Sequence, residues 1–256
     1  MLNHMKKITF SGMLVVLGLF LFSVPALADD IVIPVGEKNS IVNDRPYPMD
    51  VPSFLMNGRI YVSSRSLGDY LQADVKWLDK SDYKSITFTK NDHHVVFLVN
   101  ENNYLVKHKE FYSSLEEMDT CPLLIGEKSY IPAKFLLENF GYKVTHNTVD
   151  NSVRAIFTGE FSKEGFTIPL ESSIQSVKTT PADILLELVV ENNADLNKQL
   201  TDVAYILDSK SIDPLPIINQ IQTYFMKGNL NTASKIENKI SLHLLSNNSL
   251  LIRIWR

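Results

Sequence analysis

Residues Asp50 to Trp77 read D-V-P-S-F-L-M-N-G-R-I-Y-V-S-S-R-S-L-G-D-Y-L-Q-A-D-V-K-W, and the order of their signals (strand, turn, strand, helix, strand) decides the fold. Asn57-Gly58 is a hairpin-turn dipeptide, because both central positions of a type I′ turn take φ > 0. Phe54, Leu55 and Met56 flank it on one side and Ile60, Tyr61 and Val62 on the other, so two short strands are expected. Ser63 or Ser64 can cap a helix from Ser64 to Leu71, whose apolar Leu67, Tyr70 and Leu71 fall at i, i+3 and i+4. Ala73 to Trp77 then returns to an extended pattern.

The block recurs. Shifted by roughly 69 residues, the distance from Tyr61 to Tyr130, it meets a second copy in which residue type is kept more than identity. Asp50 meets Asp119, Leu55 meets Leu124, Met56 meets Ile125, and Asn57-Gly58-Arg59 meets Gly126-Glu127-Lys128. Val62 meets Ile131, Arg65 meets Lys134, Leu67 meets Leu136, Leu71 meets Phe140, Val75 meets Val144 and Phe88 meets Phe157. Before Asp50 the register shifts by about five residues, since Asn39-Ser40-Ile41-Val42 answers Asn103-Tyr104-Leu105-Val106; this places an insertion in the connection from Glu110 to Met118. Val95 to Val99, between turn formers Asn91-Asp92 and Asn100-Glu101, reads as a further strand between the copies. The expected class is α+β: two repeated small antiparallel sheet units, each packed on one short helix (Ser64 to Leu71 and Ala133 to Phe140), and a separate α+β C-terminal domain.

The pattern Val51-Pro52, Asn57-Gly58-Arg59, Val62, Arg65, Leu67, Leu71 and Ala73-Asp74-Val75-Lys76-Trp77 resembles the copper amine oxidase N-terminal domain-like family. Its second occurrence is Ile125-Gly126-Glu127-Lys128, Tyr130-Ile131-Pro132-Ala133-Lys134-Phe135 and Asn139-Phe140-Gly141-Tyr142-Lys143-Val144. The resemblance covers about residues 31–159 and implies a small sheet wrapped on a helix, used as a stalk or accessory module in exported bacterial proteins. Ser63, where a proline is usual, and His146, where a tryptophan is usual, depart from the pattern.

Lys6-Lys7, an uncharged apolar run from Ile8 to Val24 and Pro25-Ala26-Leu27-Ala28 have the three parts of a secretory signal peptide. Residues 1–28 are expected to be removed after Ala28; kept, the uncharged stretch would just span a bilayer, which takes about 20 residues. The membrane is expected to be met only there, and the protein to be secreted or held at the cell surface. Without Lys6 and Lys7 the 25 basic residues become 23 against 29 acidic, scattered without a basic run, which argues against nucleic acid as a partner. The division expected is 29–159 for the two repeats (about 31–99 and 100–159) and 160–256 for the C-terminal domain. Cys121 is the single cysteine, so no intrachain disulfide forms, and its setting in Thr120-Cys121-Pro122-Leu123 reads as a small buried hydrophobe.

After Glu160, Phe166 to Leu170 and Ile184 to Val190 read as strands, the latter so largely apolar that it could be a buried helix turn instead. Asn192 to Asp195 opens an amphipathic helix with Leu196, Leu200, Val203, Ala204 and Leu207 on one face. Asp213-Pro214 starts another carrying Ile217, Ile218, Ile221, Tyr224 and Phe225, which stops at Lys227-Gly228. A terminal hairpin should bury Ile240, Leu242, Leu244, Leu250, Ile252 and Ile254, leaving His243 and Arg253 on the other face.

Chemistry is sparse. The quinone of the oxidases forms from a tyrosine followed by an acid, and here Asn103-Tyr104 is followed by Leu105. His93 and His94 are adjacent, so on a strand they point to opposite faces and do not chelate one metal together. His108, His146 and His243 are isolated in sequence, no G-x-S-x-G elbow exists, and Glu116, Glu117 and Asp119 read as solvated loop charge. No catalytic residue, cofactor or metal is therefore assigned. Tyr47, Tyr61, Tyr70, Tyr83, Phe111 and Tyr112 could form a stacking platform, although core packing explains Tyr61 and Tyr70 as well. The reading is a non-enzymatic stalk or accessory protein for surface assembly or attachment, with a cell-wall polysaccharide or another surface protein as partner. The alternatives are a glycan-binding wall module and a hydrolase with a C-terminal site.

Overall fold

The computed structural model describes residues 28–108, 112–174, 176–178, 184–227, 233–237, 239–246 and 248–256; the expected signal segment before Ala28 lies outside them. The first copy runs β1 (Asp30–Pro34), β2 (Asn39–Val42), β3 (Arg45–Pro48), β4 (Phe54–Met56), β5 (Arg59–Ser63), α1 (Ser64–Leu71), β6 (Asp74–Asp79) and β7 (Lys84–Lys90). The second runs β8 (His93–Leu98), β9 (Asn103–His108), β10 (Tyr112–Glu117), β11 (Leu123–Ile125), β12 (Lys128–Pro132), α2 (Ala133–Asn139), β13 (Tyr142–Asn147) and β14 (Ser152–Phe157). Asn57 and Gly58 both have positive φ, as the type I′ turn requires, whereas in the second copy Gly126 takes the positive φ at the first turn position.

The copies do not fold as two separate bodies. Their hairpins join edge to edge in one antiparallel sheet of order β11-β12-β5-β4, and Val62 lies opposite Ile131, its own counterpart in the repeat. An approximate two-fold axis therefore passes through that pair. Sheet β10-β9-β8-β7-β6 continues the last hairpin of the first copy into the opening meander of the second. Sheet β13-β14-β1-β2-β3 repeats the arrangement by pairing β14, at the end of the second copy, with β1 at the start of the first. Strand β8, which the sequence places between the copies, is thus the counterpart of β1. The expected insertion at Glu110 to Met118 is in large part strand β10; residues 109–111 are outside the described set.

Helices of eight and seven residues are too short to hold themselves, so packing on the sheets sustains them. Ser63 caps α1 by accepting the Ser66 amide at 3.2 Å, and Gly68 lets that helix press onto β6, since a Cβ there would lie 2.3 Å from Val75 Cγ2. Leu67, Leu71, Leu136 and Leu137 are wholly buried, and Phe140 follows the end of α2, still in the core. Cys121 is half-buried in the loop before β11 rather than in the core, where its carbonyl accepts the Tyr61 hydroxyl at 3.0 Å.

The remainder is α+β. A hairpin of β15 (Glu160–Lys163) and β16 (Phe166–Pro169) leads to β17 (Ser176–Lys178), β18 (Ile184–Glu191), α3 (Leu196–Asp208), α4 (Leu215–Lys227), β19 (Ala233–Glu237), β20 (Ile240–Ser246) and β21 (Ser249–Trp255). The five-stranded antiparallel sheet has the order β17-β18-β21-β20-β19. Ile240, Leu242 and Leu244 face Ile254, Ile252 and Leu250 as the alternation predicts, and Leu186, Leu188 and Val190 extend that apolar face. Gln199, fully buried, ties α3 to β18: its carbonyl accepts the Glu191 amide at 2.9 Å while its amide donates to the Glu191 carbonyl at 3.1 Å.

Candidate functional sites

The two-fold axis brings opposite charges of the two copies together. Arg59, on the hairpin of the first copy, binds Asp119 of the second, and Lys128, the counterpart of Arg59, binds Asp50, the counterpart of Asp119, at 3.3 Å. Asp119 is thus half of a cross-copy clasp rather than free loop charge. The pairs are equivalent in topology but not in environment. Asp50 also accepts the hydroxyls of Ser63 and Ser66 at the start of α1. Burial pushes its pKa up, but Ser63, Ser66 and Lys128 outweigh this and hold it below the usual carboxylate range.

Beside that clasp lies a groove of about 590 Å³ between β6 and the turn of the second hairpin. Trp77 and Leu124 form apolar parts of its wall, Asp79 and Lys84 pair at 3.1 Å within it, and the Ser64 and Ser129 hydroxyls meet at 2.6 Å across the copies. Trp77 is 42% exposed. Its repeat counterpart is His146, so the tryptophan stands on one side of the two-fold only.

A second place is internal. His93 on β8 and His108 on β9 are directly opposed, with Nδ1 atoms 3.1 Å apart and ring centroids 5.1 Å apart. Phe140 stands edge-on to His93 at 4.9 Å. Burial drives the His93 pKa down to about 3, helped by His108 and His94, while the Asn139 backbone offsets part of the shift. The pair lines a pocket of about 560 Å³ with Leu71, Lys90, Asp92, Phe140, Leu170 and Glu171. One proton shared between the two Nδ1 atoms links the rings, and among the described residues no three potential metal ligands cluster. His94 does point to the other face, where its Nδ1 meets the Thr89 hydroxyl at 3.0 Å.

His108 is isolated in sequence yet meets His93 in space. The hairpin turn at Asn100-Glu101 carries that information, since pairing Phe97 with Tyr104 across it brings residues 93 and 108 into register. His146 is exposed, and His243 bonds Ser241 at 2.8 Å. Glu116 pairs with Lys163 in a third cleft, lined also by Tyr104, Glu138 and Asn139, where burial raises the Glu138 pKa. Of the tyrosines, Tyr61 and Tyr70 are core residues, whereas Tyr47 is exposed on β3 and Tyr83 is exposed in the turn between β6 and β7. Phe111 and the side chain of Tyr112 lie outside the described residues.

Residues 27–83 and 41–155 each match the family described as the copper amine oxidase N-terminal domain. The chain belongs to this family, and the part that matches is its non-catalytic accessory domain. No curated protein and no solved structure matches the chain.

Proposed function

We propose that the chain is an exported, non-enzymatic stalk or accessory protein that works in assembly or attachment at a bacterial cell surface. The closure of the double domain carries this reading: strands β1 and β14 seal its ends, and the clasps Arg59–Asp119 and Lys128–Asp50 bind copy to copy. Such a body resists bending and suits a spacer that positions the C-terminal α+β domain. The signal-like segment before Asp29 supplies the route of export. Fractionating the host after protease shaving tests the reading: surface-accessible, wall-associated protein supports it, and recovery only inside the cell refutes it. Glycan attachment is the second reading, favoured by the exposed Trp77 beside a polar groove.

A further inference from the structure

We propose that the groove between β6 and the second hairpin is a saccharide subsite, with Trp77 as its stacking platform and an uncharged, hydroxyl-bearing oligosaccharide as its ligand. This deepens the glycan reading given above, but binding in solution is independent of where the protein resides.

The first observation is the tryptophan itself. An indole offers a large apolar face, and folding normally buries most of it; here 42% is left open on β6, the outermost strand of its sheet. The exposed face is not on a flat surface but in a groove of about 590 Å³, within the size range of small-molecule sites. A sugar ring presents axial hydrogens on one face and hydroxyls around its rim, so it needs an aromatic face below and polar side chains beside it.

The second observation is the charge of the rim. Asp50, Asp79 and Glu127 stand against Arg65, Lys84 and Lys128, three of each sign. A balanced rim gives no net attraction for a phosphorylated or sulfated polymer or for a polycation. It does supply both acceptors and donors, which a hydroxyl, itself donor and acceptor, can use. The Ser64 and Ser129 hydroxyls add two groups of the same dual kind.

The third is asymmetry. The two-fold places His146 where the first copy has Trp77, so the double domain carries this indole platform on one side only. With β6 at a sheet edge and Trp77 half-exposed, removing the ring leaves the core intact.

The chain has two tryptophans, so a Trp255→Phe variant makes Trp77 the only indole. Titration of that variant with the N-acetylglucosamine tetramer, followed by fluorescence, should give a saturable shift in emission. In the parent chain, calorimetry should show the same affinity, Trp77→Ala should weaken it about tenfold or more, and Trp77→Phe should keep part of it. Tyr83→Ala, outside the groove, should leave it unchanged. Circular dichroism checks that each variant is folded. The proposal is overturned if neither this tetramer nor cellotetraose shifts the Trp77 emission at millimolar concentration, if Trp77→Ala binds like the parent, or if only a sulfated oligosaccharide binds. Failure here leaves the surface reading standing, and failure of the fractionation leaves this site standing.

Discussion

Acidification from pH 7 to pH 5 should weaken the double domain by about 2 kcal/mol through His93 alone. The ring is 4% exposed, its Nδ1 is occupied by His108 at 3.1 Å, and its Nε2 is sealed from solvent without a well-formed hydrogen bond. Burial first, then His108 and His94, lower its pKa from 6.5 to about 3, so the folded state prefers the neutral ring. A histidine whose folded pKa lies below its unfolded one keeps its full stability above the unfolded value and loses it as pH falls. The loss is about 1.4 kcal/mol per pH unit between roughly 6.5 and 3, which gives about 2 kcal/mol at pH 5. The other charged groups lining the pocket are Lys90, Asp92 and Glu171. Urea unfolding followed by circular dichroism at pH 7, 6 and 5 measures the slope. His93→Phe, close in size and suited to the ring of Phe140, should flatten it. A variant with the parent's slope, or a folded His93 that titrates near 6.5 by NMR, would refute the reasoning.

Because each large sheet draws strands from both copies, Leu71→Asp or Phe140→Asp should unfold the whole double domain in one transition; a copy that melts separately in calorimetry would contradict this. Asp50→Ala should cost about 2 kcal/mol and Asp119→Ala under about 1, since Asp50 also holds Ser63 and Ser66 whereas Asp119 is exposed, and equal losses in denaturant would count against the assignment. The Asp50 contribution is present at neutral pH and lost as pH falls below the ordinary aspartate value of 3.8, the sign of a depressed carboxyl pKa. Removing residues 249–256 takes β21 from the middle of its sheet and should abolish the C-terminal transition while the double domain keeps its own. Copper-loaded protein given primary amines in air should release no hydrogen peroxide; amine-dependent release would overturn the accessory reading.

Much of this architecture was legible because its signals are local. Asn57-Gly58, the Ser63 cap and the spacing of Leu67, Tyr70 and Leu71 each act within a few residues, and α1 spans Ser64–Leu71 as read. The terminal hairpin was equally plain, since its period of two fixes which face is buried. Pairing between copies was not legible. Nothing near β1 announces that its neighbour is β14, more than 100 residues away, and a one-copy reading of the pattern assigns each strand to its own unit. The sites followed the same division. In the sequence Trp77 marks only a strand position, because exposure depends on what lies across the groove. The charges at Asp119 and Glu116 looked solvated because their partners, Arg59 and Lys163, are far along the chain.

The two-fold also accounts for why the repeat is faint in identity yet firm in structure. A contact between counterpart elements needs complementary partners, and either side can supply each part. In the first copy Tyr70 of α1 is directed at Ser40 of β2; in the second, Tyr104 of β9, the counterpart of Ser40, is bonded at 3.1 Å by Asn139 of α2, the counterpart of Tyr70. The tyrosine has changed sides of the same helix–strand contact. A polar group still faces the tyrosine, and position-by-position comparison scores two mismatches. The clasps obey the opposite constraint. Arg59 and Lys128 must each reach the aspartate of the other copy, so the sign of the charge is kept at all four positions while the basic residue type drifts. Pairs within a copy are free to trade places, and pairs across the axis are held in sign, which is the pattern of conserved type without conserved identity that runs from Asp50 to Val144.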